Sequence, residues 1–181
     1  MKFGKIIIVS VVVVSLAAIG YLSLPPAGPT TSPDITLVTT DGEQLALNSL
    51  RGRPLLVIFW ATTCTTCIRE IPHLVELHQE LAPRGLKIIG IAMYYDPPNQ
   101  VLAMRKSRNI PYTIALDLRA EAAHAFGDVQ VTPSTFLIAP DGRIIHRQAG
   151  MLDMERVKKK ILALLDKKIV SSRPLSAEPN T

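Results

Sequence analysis

The stretch LLVIFWATTCTTC, residues 55–67, decides the fold. Its first six residues form an unbroken apolar run, which is typical of a strand covered on both faces. Its end carries the only two cysteines of the chain, Cys64 and Cys67. Apolar side chains recur at helical spacing from Thr65 to Leu81, which predicts a helix that begins at the cysteines. The two thiols therefore lie where a buried strand passes into a helix.

Further predicted strands and helices surround this unit. Strands that a helix separates usually pair in parallel, so their order indicates an α/β fold. Asp41-Gly42, between residues 35–38 and 44–47, predicts a leading β-hairpin. Pro72 predicts a kink in the first helix. The later elements are a strand at 86–93, a helix from about 98 to 107, a strand at 112–116, a helix at 119–126, a hairpin of strands 135–138 and 143–146, and a last helix that Asp153 caps and that ends near Leu165.

The N-terminal region carries a membrane signal. Residues 6–24 include no charged residue, and at about 1.5 Å per residue they are long enough to cross a bilayer as a helix. Lys2 and Lys5 precede the run and no basic residue follows before Arg51. The positive-inside rule therefore predicts a single-pass anchor in a bacterial inner membrane, with residues 1–5 in the cytoplasm and the domain in the periplasm. A cleaved secretory signal is the alternative, and it also exports the domain.

Composition sets the expected domain bounds. The proline-rich residues 25–33 predict an extended, unpacked linker. The folded domain is expected at residues 34–170, and residues 171–181 are expected to be a disordered tail. The net charge of +5 is concentrated near the chain ends. A basic cluster on the last helix is typical of a solvated face, so we predict no nucleic-acid partner.

The C-x-x-C spacing at the start of a helix predicts redox chemistry. Unpaired backbone N–H groups and the helix dipole stabilise an anion there, so Cys64 should have a lowered pKa and act as the attacking thiolate. Cys67, one turn later, should resolve the mixed disulfide. The redox-active disulfide replaces a bound cofactor in this prediction. We therefore predict a thiol–disulfide oxidoreductase, with Cys64 and Cys67 as its catalytic pair.

Two other roles for the cysteines remain open at this point. A structural disulfide is one, although closing so short a loop adds little stability. A metal site is the other, and thiolates with imidazole suit copper. His73 and His78 are five residues apart, which does not bring ligands together on one helix face. No second cysteine pair exists to complete a zinc site, so we predict no bound metal.

The segment from Phe59 to Pro72 (FWATTCTTCIREIP) resembles the active-site segment of the TlpA/ResA/CcmG group of thioredoxin-like proteins. The likeness continues in Val131 to Ile138 (VTPSTFLI), in Pro140-Asp141-Gly142, and in an αβ insertion near residues 98–116. The resemblance implies a thioredoxin fold with an N-terminal β-hairpin and a central αβ insertion. It also implies a protein that is tethered in the periplasm and reduces disulfides there, often in apocytochrome c. A membrane thiol donor of the DsbD/CcdA type re-reduces proteins of this group.

The resemblance also implies roles for individual residues. It makes Thr132-Pro133 a cis peptide beside the cysteines, where it shapes a substrate groove. It places Glu70 near the disulfide, where a carboxyl group influences proton transfer, and we count Glu70 as catalytic. An acid in the first turn of a helix also offsets the dipole without any chemistry. We assign the neighbours of the cysteines, Trp60, Thr65 and Thr66, to the same groove, and we expect Trp60 to pack in the core with one face towards the site.

Three residues depart from the family pattern, and two related functions compete. Thr63 replaces the usual tryptophan, Ile58 replaces the buried aspartate of thioredoxin, and Ser134 replaces an acidic residue of some cytochrome-maturation members. A copper carrier resembling the Sco group has three residues between its cysteines, whereas this chain has two. A peroxiredoxin-like peroxide reductase needs a threonine where Ala61 stands. The departures leave the exported substrate open.

Overall fold

The computed structural model describes residues 28–171, with side chains as far as Asp166. Seven strands form one mixed sheet in the order β2-β1-β5-β4-β3-β6-β7. The strands are β1 Thr36–Thr39, β2 Gln44–Ala46, β3 Leu55–Trp60, β4 Lys87–Ala92, β5 Thr113–Leu116, β6 Ser134–Ile138 and β7 Ile144–Ala149. The α-helices are α1 Thr65–Leu81, α2 Pro98–Ser107, α3 Glu121–Ala125 and α4 Met154–Ser171, and a 3₁₀ helix spans Leu47–Leu50.

The centre of the sheet is parallel and its flanks are antiparallel. β3 pairs in parallel with β4, and β4 with β5, so that Trp60 lies beside Ala92 and Ala92 beside Leu116. β6 runs antiparallel to β3 and places Ser134 opposite Phe59. β3, β4 and β5 therefore finish at the same end of the sheet, which we call the cysteine end. The leading hairpin and the α2–β5 insertion are confirmed, and the architecture is the expected thioredoxin-like α/β fold.

Successive side chains of β3 point to opposite faces of the sheet and so contribute to two core layers. Leu56, Ile58 and Trp60 face a layer that receives the apolar stripes of α1 and α4. Phe59 and its neighbours at alternate positions face the opposite layer, where Phe126 packs against the Phe59 ring edge at 5.3 Å between centroids. All six residues of β3 are buried. The apolar run therefore lies at the centre of the domain, as predicted from its lack of alternation.

Several bounds differ from those that local patterns predict. α1 keeps its predicted bounds, Thr65–Leu81, with the exposed Pro72 inside it. α3 is shorter than residues 119–126 because Ala120, at φ 60°, is left-handed and cannot begin it. β7 continues to Ala149 because β6 supplies partners as far as Ser134. α4 reaches Ser171 rather than Leu165. The remainder of the predicted tail, residues 172–181, lies outside the described residues.

Part of the predicted unpacked linker pairs with the domain. The Ser32 amide donates to the Gly142 carbonyl at 2.8 Å, and the Ile144 amide donates to the Thr30 carbonyl at 2.9 Å. Thr31 forms an antiparallel bridge with Arg143 between these two bonds. We call residues 28–32 the strap. The ordered domain thus includes residues before Asp34, because an extended, proline-rich chain has the backbone conformation that an edge strand can pair with.

The predicted membrane anchor, residues 6–24, lies outside the described residues. Within residues 28–171, no helix combines the length and the apolar character needed to cross a membrane.

Candidate active site

The two cysteines lie at the junction that the sequence predicts. Cys64 is the N-cap residue of α1, in an extended conformation, and its Sγ accepts a hydrogen bond from the Cys67 amide at 3.1 Å. The sulfurs are joined in a disulfide, with 5.2 Å between the Cα atoms. Cys64 is half-buried, whereas Cys67 is only 3% exposed. A substrate can therefore reach Cys64, while Cys67 is shielded behind it.

The N-cap position gives Cys64 the electrostatics of an anion site. The first backbone N–H groups of a helix have no partner within the helix, and the dipole places partial positive charge there. The Cys67 amide already points at the Cys64 sulfur in the disulfide form. When the disulfide is reduced, the same amide stabilises the Cys64 thiolate. The sulfur then takes the place of the carboxylate or hydroxyl oxygen of an ordinary N-cap residue.

A buried carboxylate holds the turn before Cys64. The Asp96 Oδ2 atom accepts from the Thr62 amide at 2.6 Å, and Oδ1 accepts from the Thr62 hydroxyl at 2.5 Å. Asp96 and Thr62 are 5% and 9% exposed. Asp96 follows β4, so this pair joins the loops that leave two neighbouring parallel strands. The available signal was its place after a buried strand, because the carboxyl end of a parallel strand is where functional side chains usually gather.

Glu70 lies one turn after Cys67 and is 4% exposed. Its Oε1 atom accepts a hydrogen bond from the Leu152 amide at 2.6 Å, while Oε2 is buried without a partner among the described residues. Burial raises the pKa of Glu70, against the lowering effects of the Leu152 amide and of His73. The buried Tyr112 also has a raised pKa, mainly from burial and further from the Glu70 charge.

Glu70 differs from the other buried carboxylates of the described residues. Asp96 uses both oxygens on Thr62. Asp117 uses both of its oxygens on the amides of Ala122 and Ala123, at 3.0 and 2.9 Å. Among the buried acids in residues 28–166, Glu70 alone keeps an oxygen without a protein partner. It therefore has the free acceptor that a proton-transfer group near Cys67 requires.

The Thr132–Pro133 peptide bond is cis, as the resemblance implies. The Pro133 carbonyl accepts from the Gly150 amide at 2.8 Å, and the Ser134 hydroxyl donates to the Val131 carbonyl at 2.7 Å. Because Ser134 pairs with Phe59, Pro133 lies at the cysteine end of the sheet. Pro133 is buried and Thr132 half-buried, whereas Val131 is exposed. The cis-proline loop and the turn that carries Cys64 therefore lie at the same end of the sheet.

Trp60 is 4% exposed, so it packs in the core as expected and does not line an open groove. It shares the β3 face of Ile58, and both side chains line a cavity of about 10 Å³ beside Cys67, roughly the room that one water molecule needs. Tyr112 and Gly90 also line this cavity. A Cβ at Gly90 would lie 2.8 Å from Ile114 Cδ1 and 3.1 Å from Trp60 Nε1, so a glycine is needed for this packing. Trp60 supports Cys67 from behind and does not reach the surface.

The remaining predicted groove residues lie at the start of α1. Thr65 is exposed and Thr66 is half-buried, so both side chains flank the accessible sulfur. An aromatic pair that the sequence analysis did not assign, Tyr94 and Tyr95, follows β4 at the same end, with ring centroids 5.3 Å apart. Both rings are about half exposed. Two adjacent tyrosines directly after a buried strand were the available signal.

Metal-ligating side chains do not gather in the described part of the chain. Within the range that the structure covers, there is no group of three or more His, Cys, Asp or Glu residues able to hold an ion.

Comparison with known proteins agrees with this geometry. Residues 26–164 match the Redoxin family. The thiol–disulfide oxidoreductase ResA of Geobacillus thermodenitrificans is 28% identical over 151 residues, which cover 79% of this chain and 86% of the relative. ResA of Bacillus subtilis is 26% identical over 121 residues, covering 67% of this chain and 66% of the relative, just under two thirds of its length.

A solved structure shows the same fold at similar identity. The thiol:disulfide interchange protein of the thioredoxin family from Chlorobium tepidum is 28% identical, with a TM-score of 0.68, and the match covers 77% of this chain and 98% of that protein. The Cys64–Cys67 disulfide lies at the strand-to-helix junction of this shared fold. The chain therefore belongs to the Redoxin family, and it is a thiol–disulfide oxidoreductase of the TlpA/ResA/CcmG-like type.

Proposed function

We propose that this protein is anchored to the outer face of a bacterial inner membrane and reduces disulfides in exported proteins. Cys64 attacks and Cys67 resolves. The observation that carries this proposal is the asymmetry of the pair: Cys64 is accessible and accepts the Cys67 amide hydrogen bond, whereas Cys67 is buried. An accessible, stabilised thiolate is the form that attacks a disulfide.

The reaction exchanges one disulfide for another. The Cys64 thiolate attacks a substrate sulfur, a mixed disulfide forms, and the other substrate sulfur leaves as a thiolate that takes up a proton. Cys67 then loses its proton and attacks Cys64 Sγ, which releases the second substrate thiolate and leaves the Cys64–Cys67 disulfide. Two electrons have passed to the substrate, and a dithiol partner must return them together with two protons.

Glu70 is the group we assign to the proton of Cys67. Ile58 occupies the strand position at which a buried aspartate serves thioredoxin, so β3 supplies no base to the cavity beside Cys67. Glu70 has a buried oxygen without a partner among the described residues, and burial raises its pKa above the ordinary value, which makes it a stronger base than an exposed glutamate.

The partner and the substrate class follow from the predicted anchor and the resemblance. The chain has two cysteines, so it holds no second thiol pair to pass electrons inward. A membrane thiol donor of the DsbD/CcdA type is the partner we propose for re-reduction. Exported proteins with a disulfide near an extended segment, apocytochrome c among them, are the substrates we propose.

The role assignment is tested by trapping. Cys67→Ser, expressed in the exported full chain, should accumulate mixed disulfides with substrates, because the resolving thiol is missing. Cys64→Ser should accumulate few. Equal trapping by the two variants would refute the assignment. The direction of the reaction is tested by the reduction potential of the wild-type protein. For a reductant we expect a value nearer to about −270 mV, as in thioredoxin, than to about −120 mV, as in DsbA.

A further inference from the structure

The strap leads the chain towards the cysteine end of the sheet. Its backbone bonds with Gly142 and Ile144 place Ser32 beside the start of β7. Four residues earlier in the chain, Gly28 lies against the guanidinium group of Arg147, which is further along β7. Followed backwards from Ser32 to Gly28, the chain therefore runs towards the end of β7 that adjoins Pro133, which is the cysteine end of the sheet.

The strap is held from two sides. A Cβ at Gly127 would lie 3.0 Å from Pro29 Cδ and 3.2 Å from Gly28 Cα. Gly127 also has a φ of +94°, which favours glycine. The β7 edge and the turn after α3 thus enclose residues 28 and 29. The point at which the chain enters the domain, and its direction there, are set by this packing.

The remaining tether is short. Three residues, 25–27, separate the strap from the predicted anchor, and a chain advances at most about 3.6 Å per residue, or roughly 11 Å in all. Arg147 pairs with Phe136 and Phe136 with Val57, so Gly28 lies near the level of Val57 in the sheet. Trp60 is three residues further towards the cysteine end, about 10 Å along the strand. The tether can reach that end directly, but must turn back on the strap to reach the opposite one.

Exposed apolar side chains are concentrated at the same end. Of the seven large hydrophobic residues exposed in the described part of the chain, five lie in loops that adjoin the cysteine end of the sheet. Each is at least half exposed. Tyrosine and aliphatic side chains of this kind are suited to the boundary between water and lipid headgroups. The five residues are Tyr94, Tyr95, Leu118, Val131 and Met151.

We propose that the anchored domain rests on the bilayer with its cysteine end towards the lipid headgroups, held in that orientation by the strap. This inference depends on the proposed membrane anchorage. Cys64 is then presented at the membrane surface, where a membrane-embedded dithiol partner can meet it without rotation of the domain.

Energy transfer from tryptophan to headgroup-labelled lipid tests the orientation. Trp60 is the single tryptophan of the chain and lies at the cysteine end. The full chain is placed in vesicles of phosphatidylethanolamine and phosphatidylglycerol with dansyl-labelled lipid. The comparison variant is Trp60→Phe with Arg53→Trp, which moves the donor to the opposite end. Both proteins carry Cys64→Ser and Cys67→Ser, so that no disulfide quenches the indole.

Transfer from Trp60 should exceed transfer from position 53 by at least about threefold, since the two positions are roughly 20 Å apart along β3. A long Gly/Ser insertion between Ala27 and Gly28 leaves the core intact and should reduce the transfer from Trp60. Equal transfer from both ends, or no effect of the insertion, overturns the orientation while the anchor stands. Failure of the wild-type chain to sediment with vesicles overturns the anchorage, and the orientation with it.

Discussion

At the scale of single residues, Glu70 shows how burial alone can prepare a side chain for proton transfer. Its one hydrogen bond, from the Leu152 amide, does not compensate for the loss of water around the second oxygen. The pKa of Glu70 therefore lies above its ordinary value, because burial makes its ionised form less favourable than in the unfolded chain. A residue with this property costs stability when it ionises, and Glu70 does so one helical turn after Cys67.

The Glu70→Gln variant should change how stability depends on pH. The folded-state pKa of Glu70 is raised, so its contribution is most favourable at low pH and is lost as the pH rises through that pKa. Glutamine does not titrate, so the unfolding free energy of the variant, relative to wild type, should increase as the pH rises. Denaturant melts of the oxidised proteins between acidic and mildly alkaline pH measure this difference.

The control is Glu76→Gln, on an exposed position of the same helix. A Glu70→Gln curve parallel to the wild-type curve would contradict the buried-charge interpretation. Single-turnover oxidation of the reduced variant by a disulfide substrate separates the roles further. Loss of the wild-type pH dependence of the resolving step would support proton transfer through Glu70, and an unchanged profile would exclude it.

At the scale of elements, the site is an assembly of loops that leave β3, β4, β6 and β7 at one end of the sheet. The Asp96 carboxylate joins the first two loops through Thr62, and the Glu70 carboxylate joins α1 to the turn before α4. The Gly150 amide joins that same turn to the cis-proline loop. Each link is a buried or backbone hydrogen bond, so the position of Cys64 depends on several elements at once.

Replacing Asp96 by asparagine should loosen this assembly. Asparagine is neutral and its one oxygen can accept from only one of the two Thr62 donors. A hydrogen bond to a charged group contributes about 1.5–3 kcal/mol, so part of this stabilisation should be lost. Thermal or urea unfolding should show that loss. Asp41→Asn, which alters an exposed pair with Arg105, is the matched control and should have a smaller effect. An Asp96→Asn protein as stable as the control would contradict the proposed link.

At the scale of the whole molecule, sequence patterns predicted those features of the fold that depend on residues close together in the chain. The uniform apolar run of β3, the cysteines at the start of α1 and the glycine at φ +81° in the leading turn need only neighbouring residues to be interpreted. The βαβ order then implied the parallel centre of the sheet. The resemblance supplied the cis peptide before Pro133, which no local pattern distinguishes from a trans bond.

The missed features depend on partners distant in the chain. Leu152 is 82 residues from Glu70, and Asp96 is 34 residues from Thr62. No periodicity encodes such pairs. The core packing of Trp60 was predictable from the unbroken apolar run of β3, whereas its place beside the cysteines suggested a groove that it does not line. Residues 28–32 were assigned to an unpacked linker because proline-rich composition reports the extended backbone but not the strand edge that it pairs with.

The strap gives a prediction for the intact domain. Ser32→Pro removes the amide that donates to Gly142, and loss of one backbone hydrogen bond should lower the unfolding free energy by about 1 kcal/mol. Thr31→Pro is the control, because the Thr31 amide takes part in neither strap bond. These two bonds use the Ser32 amide and the Thr30 carbonyl. Urea unfolding of both variants measures the difference. Equal stability of the two variants would show that the hydrogen bond from Ser32 to Gly142 adds nothing to the fold.

The pairing of the strap with β7 also bears on how copies of this protein avoid one another. β7 is the last strand on its side of the sheet, and an open strand edge is a template for self-association. The Thr30 and Ser32 backbone groups occupy the hydrogen-bonding positions at Gly142 and Ile144. At the opposite edge, β2 offers only three residues. A domain trimmed to begin at Asp34 would uncover the first of these edges, and its tendency to aggregate should increase.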